Sequence, residues 1–431
     1  MITPYTLPGF MELMPMDQVK FDYIKNTIEK TYLKYGFLPL DTPVIEGADV
    51  LLAKAGGETE KQIYRFNKGD SDLCLRFDLT VPLAKFVAMH QGELNFPFRR
   101  YQIGKVYRGE RAQKGRYREF YQCDIDVIGD ENLPIIYDVE MPSIIRDIFL
   151  SLGLDFVVRI NNRKVLNGLF IALGITNPQD VMRIVDKFDK IGREAVADEL
   201  GKLGLKGGDI VTILDFISID GDSLVKIAKA RALNIDNPEY KLGLEELEQV
   251  IAYSKALGSY DNIEIDFKIA RGLDYYTGTV YETFIKGHEN VGSVCSGGRY
   301  DNLAGYYTNK RLPGVGISIG LTRLYYVLNE LGLMRDVANP TKVLVVPMES
   351  AQLGYALEVS NIIRTCGINC ETYFMDKKFK NKLNYANKLG VPFVAIVGEN
   401  EEKDRTVTIK NMFEHTQGTI KIESLNSFWG K

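Results

Sequence analysis

The sequence predicts an α+β protein: a strand-rich region, interrupted by a helical segment and followed by a separate α/β unit. Three observations predict it. Residues 98–108 and 119–128 read as strands on either side of "GERAQKGRYR", and strand alternation returns at 263–269. Residues 163–258 read almost wholly as helices. After a linker-like "MRDVANPT" (334–341), strand and helix patterns alternate as βαβαβ. The expected domains are 1–333 with an inserted 163–258, and 342–431 beyond the linker.

The first element is a helix over 17–34, with Val19, Tyr23, Ile24, Ile28 and Tyr32 near helical spacing and Gly36 beyond its end. "FLPLDTPVIE" follows as an edge or interface strand, because Pro39 and Pro43 cannot donate to a ladder. "DLCLRFDLTVPLAKFVAMH" turns from strand to helix at Asp78–Pro82, with Thr80 as a candidate N-cap. In the run 119–128, Phe120, Gln122, Asp124 and Asp126 share one face, and Tyr121, Cys123, Ile125 and Val127 the other. Arg100, Gln102, Gly104, Val106 and Arg108 share a face of the preceding run. Such a polar floor is either a ligand platform or a face in water; the clustered Arg and Asp favour the platform. "GLKGGD" (204–209) lacks the Lys-Ser/Thr of a phosphate loop and reads as a turn. "SGGRYDNL" (296–303) reads as a glycine turn carrying Arg299 and Tyr300. "GVGISIGLTRLYYVLNELGL" (314–333) reads as a strand becoming a helix, with Leu321, Leu324, Tyr325 and Leu328 on one stripe. Its glycine spacing is not the dinucleotide fingerprint. The second helix of the C-terminal unit is basic, with Lys377, Lys378, Lys380, Lys382 and Lys388, a candidate contact for a long polyanion.

Composition narrows the function classes. With 431 residues, 45% hydrophobic and 26% charged, the chain reads as a soluble globular protein. No run approaches the ~18 apolar residues of a membrane helix. The start lacks a basic stretch followed by an apolar one, so no secretory signal is expected. Five scattered cysteines suit a reducing cytoplasm; Cys366 and Cys370 read as helical neighbours rather than half of a zinc site. The net charge of −4 argues against a generally cationic binder, yet residues 99–118 carry eight Arg or Lys against one acid, Glu110. Six of the eight are Arg, the residue suited to bidentate phosphate or carboxylate contact.

These motifs resemble the class II aminoacyl-tRNA synthetases, and the histidine-specific family among them, over almost the whole length. "YRGERAQKGRYREFYQ" (107–122) is similar to motif 2, "GISIGLTRL" (316–324) to motif 3, and the Pro43 segment with its preceding helix to motif 1, the dimer element. "RGLDYYTG" (271–278) and "SGGRYDNL" look like the two histidine-family peptides. The resemblance implies a catalytic domain with a mainly antiparallel sheet flanked by helices, a helical insertion, and an anticodon-binding α/β domain with a mostly parallel sheet. It implies ATP-dependent attachment of L-histidine to tRNA(His) through histidyl-adenylate, with Mg2+ bound on the ATP phosphates, in a cytoplasmic homodimer.

Residue by residue, the resemblance puts Arg108 on the α-phosphate and Glu110 at the adenine end. It puts Arg116 and Arg323 on the β- and γ-phosphates, and Arg271 beside the α-phosphate and the substrate carboxylate. Asp78, Thr80 and Gln122 match positions around the α-amino group, and Asp126 and Tyr276 positions around the imidazole. Tyr275 and Tyr300 line the pocket, and Gln113 approaches the acceptor end of the tRNA. Asp78 and Asp126 stand where many bacterial members carry Glu, shortening the reach by about 1.5 Å.

Chemistry read from the residues agrees with this. A substrate carboxylate attacking phosphorus needs no protein nucleophile, and the chain has only His90, His288 and His415, none in these motifs. Reading both nitrogens of an imidazole takes an acceptor and a second hydrogen-bonding group, which a carboxylate and a tyrosine supply. Asp126 equally fits an acid neutralised by a neighbouring arginine. Two readings outside the ligases stand beside the main one: a regulatory subunit of ATP phosphoribosyltransferase and a pure RNA-binding module. The Arg-bearing histidine motif and the C-terminal domain weigh against the first, and the set of phosphate-facing arginines against the second.

Overall fold

The computed structural model describes residues 1–53, 58–111, 113–270, 275–301 and 303–429. The chain divides into two compact units, one of residues 1–12 and 21–334, the other of 13–20 and 335–431.

In the first unit, residues 21–34 of the helix Pro15–Lys34 lead to β1 (Leu38–Pro39) and β2 (Ile45–Gly47). β3 (Arg65–Lys68) and β4 (Ser71–Leu75) form a small antiparallel sheet with β2, in the order β2-β4-β3, which the sequence pattern did not reveal. The helix Thr80–His90 follows, then β5 (Phe98–Tyr107) and β6 (Glu119–Ile128). β7 (Phe156–Asn162), β8 (Ile263–Ile265), β9 (Thr279–Ile285), β10 (Cys295–Tyr300) and β11 (Gly314–Gly320) complete the main sheet. Its order is β1-β5-β6-β11-β10-β9-β7-β8, antiparallel except where β1 joins β5 and β8 joins β7. The expected mainly antiparallel sheet is present. Helix Ile136–Ser151 packs on β7 and β11, and Leu321–Glu330 on β6.

Two local readings change. "SGGRY" is strand, not turn: β10 is paired on one side with β9 and on the other with β11, so its backbone groups are satisfied in ladders. Gly207 and Gly208 do not end in a turn but open the helix Gly207–Ile217. The edge character of "FLPLDTPVIE" holds, since β1 closes the sheet edge with Leu38 exposed.

Between β7 and β8 lie the helices Arg163–Ala172, Pro178–Val185, Phe188–Lys202, Gly207–Ile217, Ser223–Ala232 and Pro238–Ser254. Their ends follow short polar caps: Asp222 accepts from the Val225 amide, and Asn237 from those of Glu239 and Tyr240.

The second unit holds β12 (Val343–Pro347), β13 (Cys370–Thr372), β14 (Phe393–Val397), β15 (Thr406–Asn411) and β16 (Gln417–Lys421), ordered β13-β12-β14-β15-β16. The first three strands run parallel, and β15 and β16 continue the sheet antiparallel. Helices Leu353–Thr365 and Phe379–Leu389 cover it over cores centred on Val359 and Ala386. Cys366 and Cys370 are not helical neighbours: Gly367, at φ +75°, ends the first of these helices between them, and Cys370 opens β13. Lys382 leaves the basic face, being buried with its ammonium donating to the Pro347 carbonyl at 2.8 Å.

Candidate active site

The centre of the main sheet is a floor of charged and polar groups. Register sets Arg100 of β5 opposite Asp126 of β6, Gln102 opposite Asp124, and Gly104 opposite Gln122. On the other side of β6, Asp126 faces Gly316 of β11, Asp124 faces Ser318, and Gln122 faces Gly320. The parity expected from sequence is correct, but this face is not in water. Arg100, Gln102, Asp124 and Asp126 are all buried.

Burial forces pairing. Arg100 Nη2 lies 2.6 Å from Asp126 Oδ2, and the Tyr300 hydroxyl donates to Asp126 Oδ1 at 2.8 Å. Arg100 is thus the neighbouring arginine that the sequence left open. Burial pushes the Asp126 carboxyl up, against the Arg100 charge and the Tyr300 hydrogen bond. β11 admits this arrangement only because it lacks side chains at two places. A Cβ on Gly316 would stand 2.2 Å from Asp126 Oδ1, and one on Gly314 would stand 2.4 Å from the Tyr300 ring.

Asp124 has a different environment. Gln122 Nε2 donates to Ser318 Oγ at 2.7 Å, and the Ser318 hydroxyl serves the Asp124 carboxyl. Among the described residues Asp124 Oδ1 and Gln122 Oε1 are buried with no hydrogen-bond partner. Burial pushes Asp124 up to about 7, offset in part by the Arg100 charge and Ser318.

The helix Thr80–His90 delivers Asp78 and Thr80. The cap at its start is Asp78, whose Oδ1 accepts from the Val81 amide at 3.1 Å, not Thr80 as the sequence suggested. Asp78 Oδ2 is buried and unpartnered among the described residues, and burial pushes this carboxyl up to about 6. Thr80 instead hydrogen-bonds Tyr275. Tyr275 stands edge-on to both Tyr276 and Tyr300, with centroids 4.9 and 5.9 Å apart. Thr80, Asp124, Asp126, Tyr275, Tyr276 and Tyr300 line one cavity, closed by the β11 backbone from Gly316 to Ser318.

At the strand ends lies an arginine rim. Arg108 donates from Nε to the Phe77 carbonyl at 2.9 Å and lies over the Phe120 ring. Arg116 reaches Glu110 at 3.5 Å, half exposed. Arg323 donates to the carbonyls of Ser293 and Val291. Burial and then the Arg116 charge lower its pKa. Among the described residues neither Arg108 nor Arg323 has a carboxylate partner. Gln113 is exposed and bridges to Arg116 in the connecting loop. Three further cations of the basic run are committed elsewhere: Arg99 to Glu140, Lys105 to Glu119 and Arg118 to the Glu110 carbonyl.

The structure therefore brings together Asp126, Tyr275, Tyr276, Tyr300 and Thr80 around one cavity, Asp78 and Gln122 beside it, and Arg108, Glu110, Arg116 and Arg323 at the rim. Arg271 and Asp274 lie outside the described residues. Arg100, Asp124 and Ser318 belong to the floor although sequence reading gave them no role. Parity pointed at the first two; nothing near Ser318 in sequence announced it.

Comparison with known proteins supplies the family. A family model described as histidyl-tRNA synthetase matches residues 9–324, and one described as anticodon binding domain matches 342–429. The chain is 53% identical to a histidine–tRNA ligase of Clostridium tetani over 98% of this chain and 97% of that one. It is 47% identical to a histidine–tRNA ligase of Finegoldia magna over 99% of each. A crystal structure of histidyl-tRNA synthetase from Nostoc sp. PCC 7120 superposes with a TM-score of 0.92 at 39% identity, covering 100% of this chain and 99% of that one. A Bacillus halodurans structure titled an ATP phosphoribosyltransferase regulatory subunit/histidyl-tRNA synthetase shares the fold, with a TM-score of 0.76 at 19% identity over 92% of this chain and 99% of that one.

Proposed function

The chain belongs to the histidyl-tRNA synthetase family and attaches histidine to tRNA at the cost of ATP, and from that premise we propose how its residues divide the work. The regulatory-subunit reading has the weaker support, because the ligase relatives are similar over nearly the whole chain, whereas the likeness to the Bacillus halodurans protein is one of fold.

In the first step a histidine carboxylate oxygen bonds to the α-phosphorus of ATP, and the bond to pyrophosphate breaks. In the second, the terminal ribose hydroxyl of the tRNA takes the histidyl group and AMP leaves. Neither step needs a protein nucleophile; both need alignment and charge stabilisation. Arg108 and Arg271 hold the α-phosphate, where negative charge grows as the phosphorus is attacked. Arg116 and Arg323 hold the β- and γ-phosphates, and Glu110 the adenine end. Gln113 contacts the acceptor end of the tRNA. Asp78, Thr80 and Gln122 take the α-ammonium, Asp126 and Tyr276 the imidazole end, and Tyr275 and Tyr300 wall the pocket.

One observation carries this division: among the described residues, buried acceptors without partners stand beside arginines without carboxylates. Asp78 Oδ2 and Gln122 Oε1 match the N–H groups of an ammonium. Arg108 and Arg323 match a polyphosphate. Among the described residues no three His, Cys, Asp or Glu side chains are grouped to hold a metal. Mg2+ carried on the nucleotide phosphates belongs to the same proposal and would neutralise charge on the leaving pyrophosphate. Homodimerisation belongs to the same proposal, supported by the exposed Leu38, Val44 and Ile45 of the motif 1-like segment. So does a cytoplasmic location, supported by five free cysteines.

The testing experiment is histidine-dependent ATP–pyrophosphate exchange with Mg2+, alongside light scattering for the dimer. Exchange that requires histidine and is abolished by chelation is expected; a folded protein without exchange overturns the assignment.

A further inference from the structure

We propose that Asp124 is a specificity residue of the histidine pocket, whose free carboxylate oxygen takes a ring N–H of the substrate imidazole beside Asp126. This rests on the ligase reading above and assigns a residue that the family motifs leave without a role.

Three observations carry it. First, Asp124 lies two residues before Asp126 on the same strand, so alternation turns both side chains to the same face, and both line the same cavity. Second, the two carboxylates are used differently. Each Asp126 oxygen already has a protein partner, Oδ2 with Arg100 at 2.6 Å and Oδ1 with Tyr300 at 2.8 Å. Asp124 Oδ1 is buried and has none among the described residues. A buried oxygen left without a donor loses its hydration uncompensated, and a ligand N–H relieves that cost. Third, the amide nitrogens around Asp124 are committed elsewhere. Gln122 Nε2 is held by Ser318 Oγ, and Gln102 Nε2 by Asp41 and Thr42, so neither amide nitrogen is directed to Asp124.

Burial also puts the Asp124 carboxyl at about 7, close to the ~6.5 of a free imidazole. Two groups matched in this way share a proton across their hydrogen bond at little cost, whichever of them formally holds it. Side chains that offer no N–H leave Asp124 Oδ1 unpaired, which makes the residue a filter as well as a contact.

The test compares pyrophosphate exchange by the wild type, Asp124→Asn and Asp126→Asn, each with L-histidine and with its two ring N-methyl isomers. In the wild type, methylating the nitrogen that faces Asp124 raises the KM. In Asp124→Asn the histidine KM rises about tenfold or more, and the penalty for that isomer shrinks about fivefold, a non-additive coupling that a structural role does not produce. A histidine KM within about twofold of wild type overturns the proposal. So does a raised KM with both methyl penalties unchanged, which would move Asp124 to the α-ammonium or to floor packing. Thermal midpoint and ATP affinity report folding. Asp124→Ser, which retains a hydroxyl toward Ser318, carries the same comparison if the amide variant does not fold. Absence of any exchange by the folded wild type is a different outcome: it removes the ligase reading itself.

Discussion

The floor of the cavity and the arginine rim are both built from charged residues within one stretch of chain, yet they solve opposite problems. Arg100 and Arg108 sit eight positions apart on the same face of β5 and its continuation. Arg100 is fully buried and pairs with Asp126 through Nη2; Arg108 is part-exposed and touches a carbonyl and a ring. The floor holds its charges in place before any substrate arrives, at a desolvation cost that only good pairing offsets. The rim leaves Arg108 and Arg323 without carboxylate partners among the described residues, on part-exposed side chains. Fixed, expensive charge suits selection of one small amino acid. Uncommitted charge suits a polyphosphate that brings its own negative charge and must leave again.

Substitutions that remove one charge from each region test this contrast. The largest effect belongs to the floor. Arg100→Met leaves Asp126 a buried, unpaired carboxylate, and we expect a loss of about 3–5 kcal/mol of folding stability in urea denaturation. A loss below about 1 kcal/mol would show that the floor is not held by this pair.

Next come the rim arginines. Arg108→Ala and Arg271→Ala should lower kcat for pyrophosphate exchange about 10²–10³-fold, with the histidine KM changing far less and the urea midpoint unmoved for Arg108→Ala. If either variant raises the histidine KM and spares kcat, its charge acts on substrate binding and not on the developing phosphate charge.

A smaller effect reads the floor by pH. Asp124 and Asp78 are raised from 3.8 to about 7 and about 6. A carboxyl raised on folding binds its proton more tightly in the folded chain, so stability falls as pH rises from the unfolded pKa through the folded one. Below about pH 4 both groups are protonated in either state and the cost is absent; above about pH 7 it is complete. The substrate-free protein should therefore lose stability across that window. Asp124→Asn should be more stable than wild type at pH 8 by about 1 kcal/mol or more, and nearly equal to it at pH 4. An equal difference at both values would remove the buried-charge explanation.

The smallest effect separates the regions by salt. Glu110–Arg116 is a half-exposed pair, worth about 0–1 kcal/mol to the fold. Arg116→Ala should leave the urea midpoint within that margin yet raise the ATP KM several-fold, with less salt dependence than wild type. An unchanged ATP KM would place Arg116 outside the phosphate contacts.

Much of this was legible before the structure. The alternation over 119–128 put Asp124 and Asp126 on one face, and the arginine excess over 99–118 marked where several cations gather. The helical insertion and the C-terminal α/β pattern followed from periodicity. Other features were not legible, each for a physical reason. "SGGRY" carries two adjacent glycines and looks like a turn, but pairing on both sides makes it a strand. Lys382 looked like one of five surface cations, but the Pro347 carbonyl at the end of a strand 35 positions earlier holds it inside.

What the sequence by itself determined is which residue types share a face and how many charges the centre must reconcile, because side-chain parity is a property of the strand alone. What only the tertiary structure decided is which of those charges remain open. Tyr300 closes Asp126 from a strand 174 positions away. Ser318 holds Gln122 from 196 positions away and leaves Asp124 with an unused oxygen. Those partners arrive through the pairing of β11 with β6 and of β10 with β11. A hydrogen bond depends on where its second member lies, and strand order puts that member in reach.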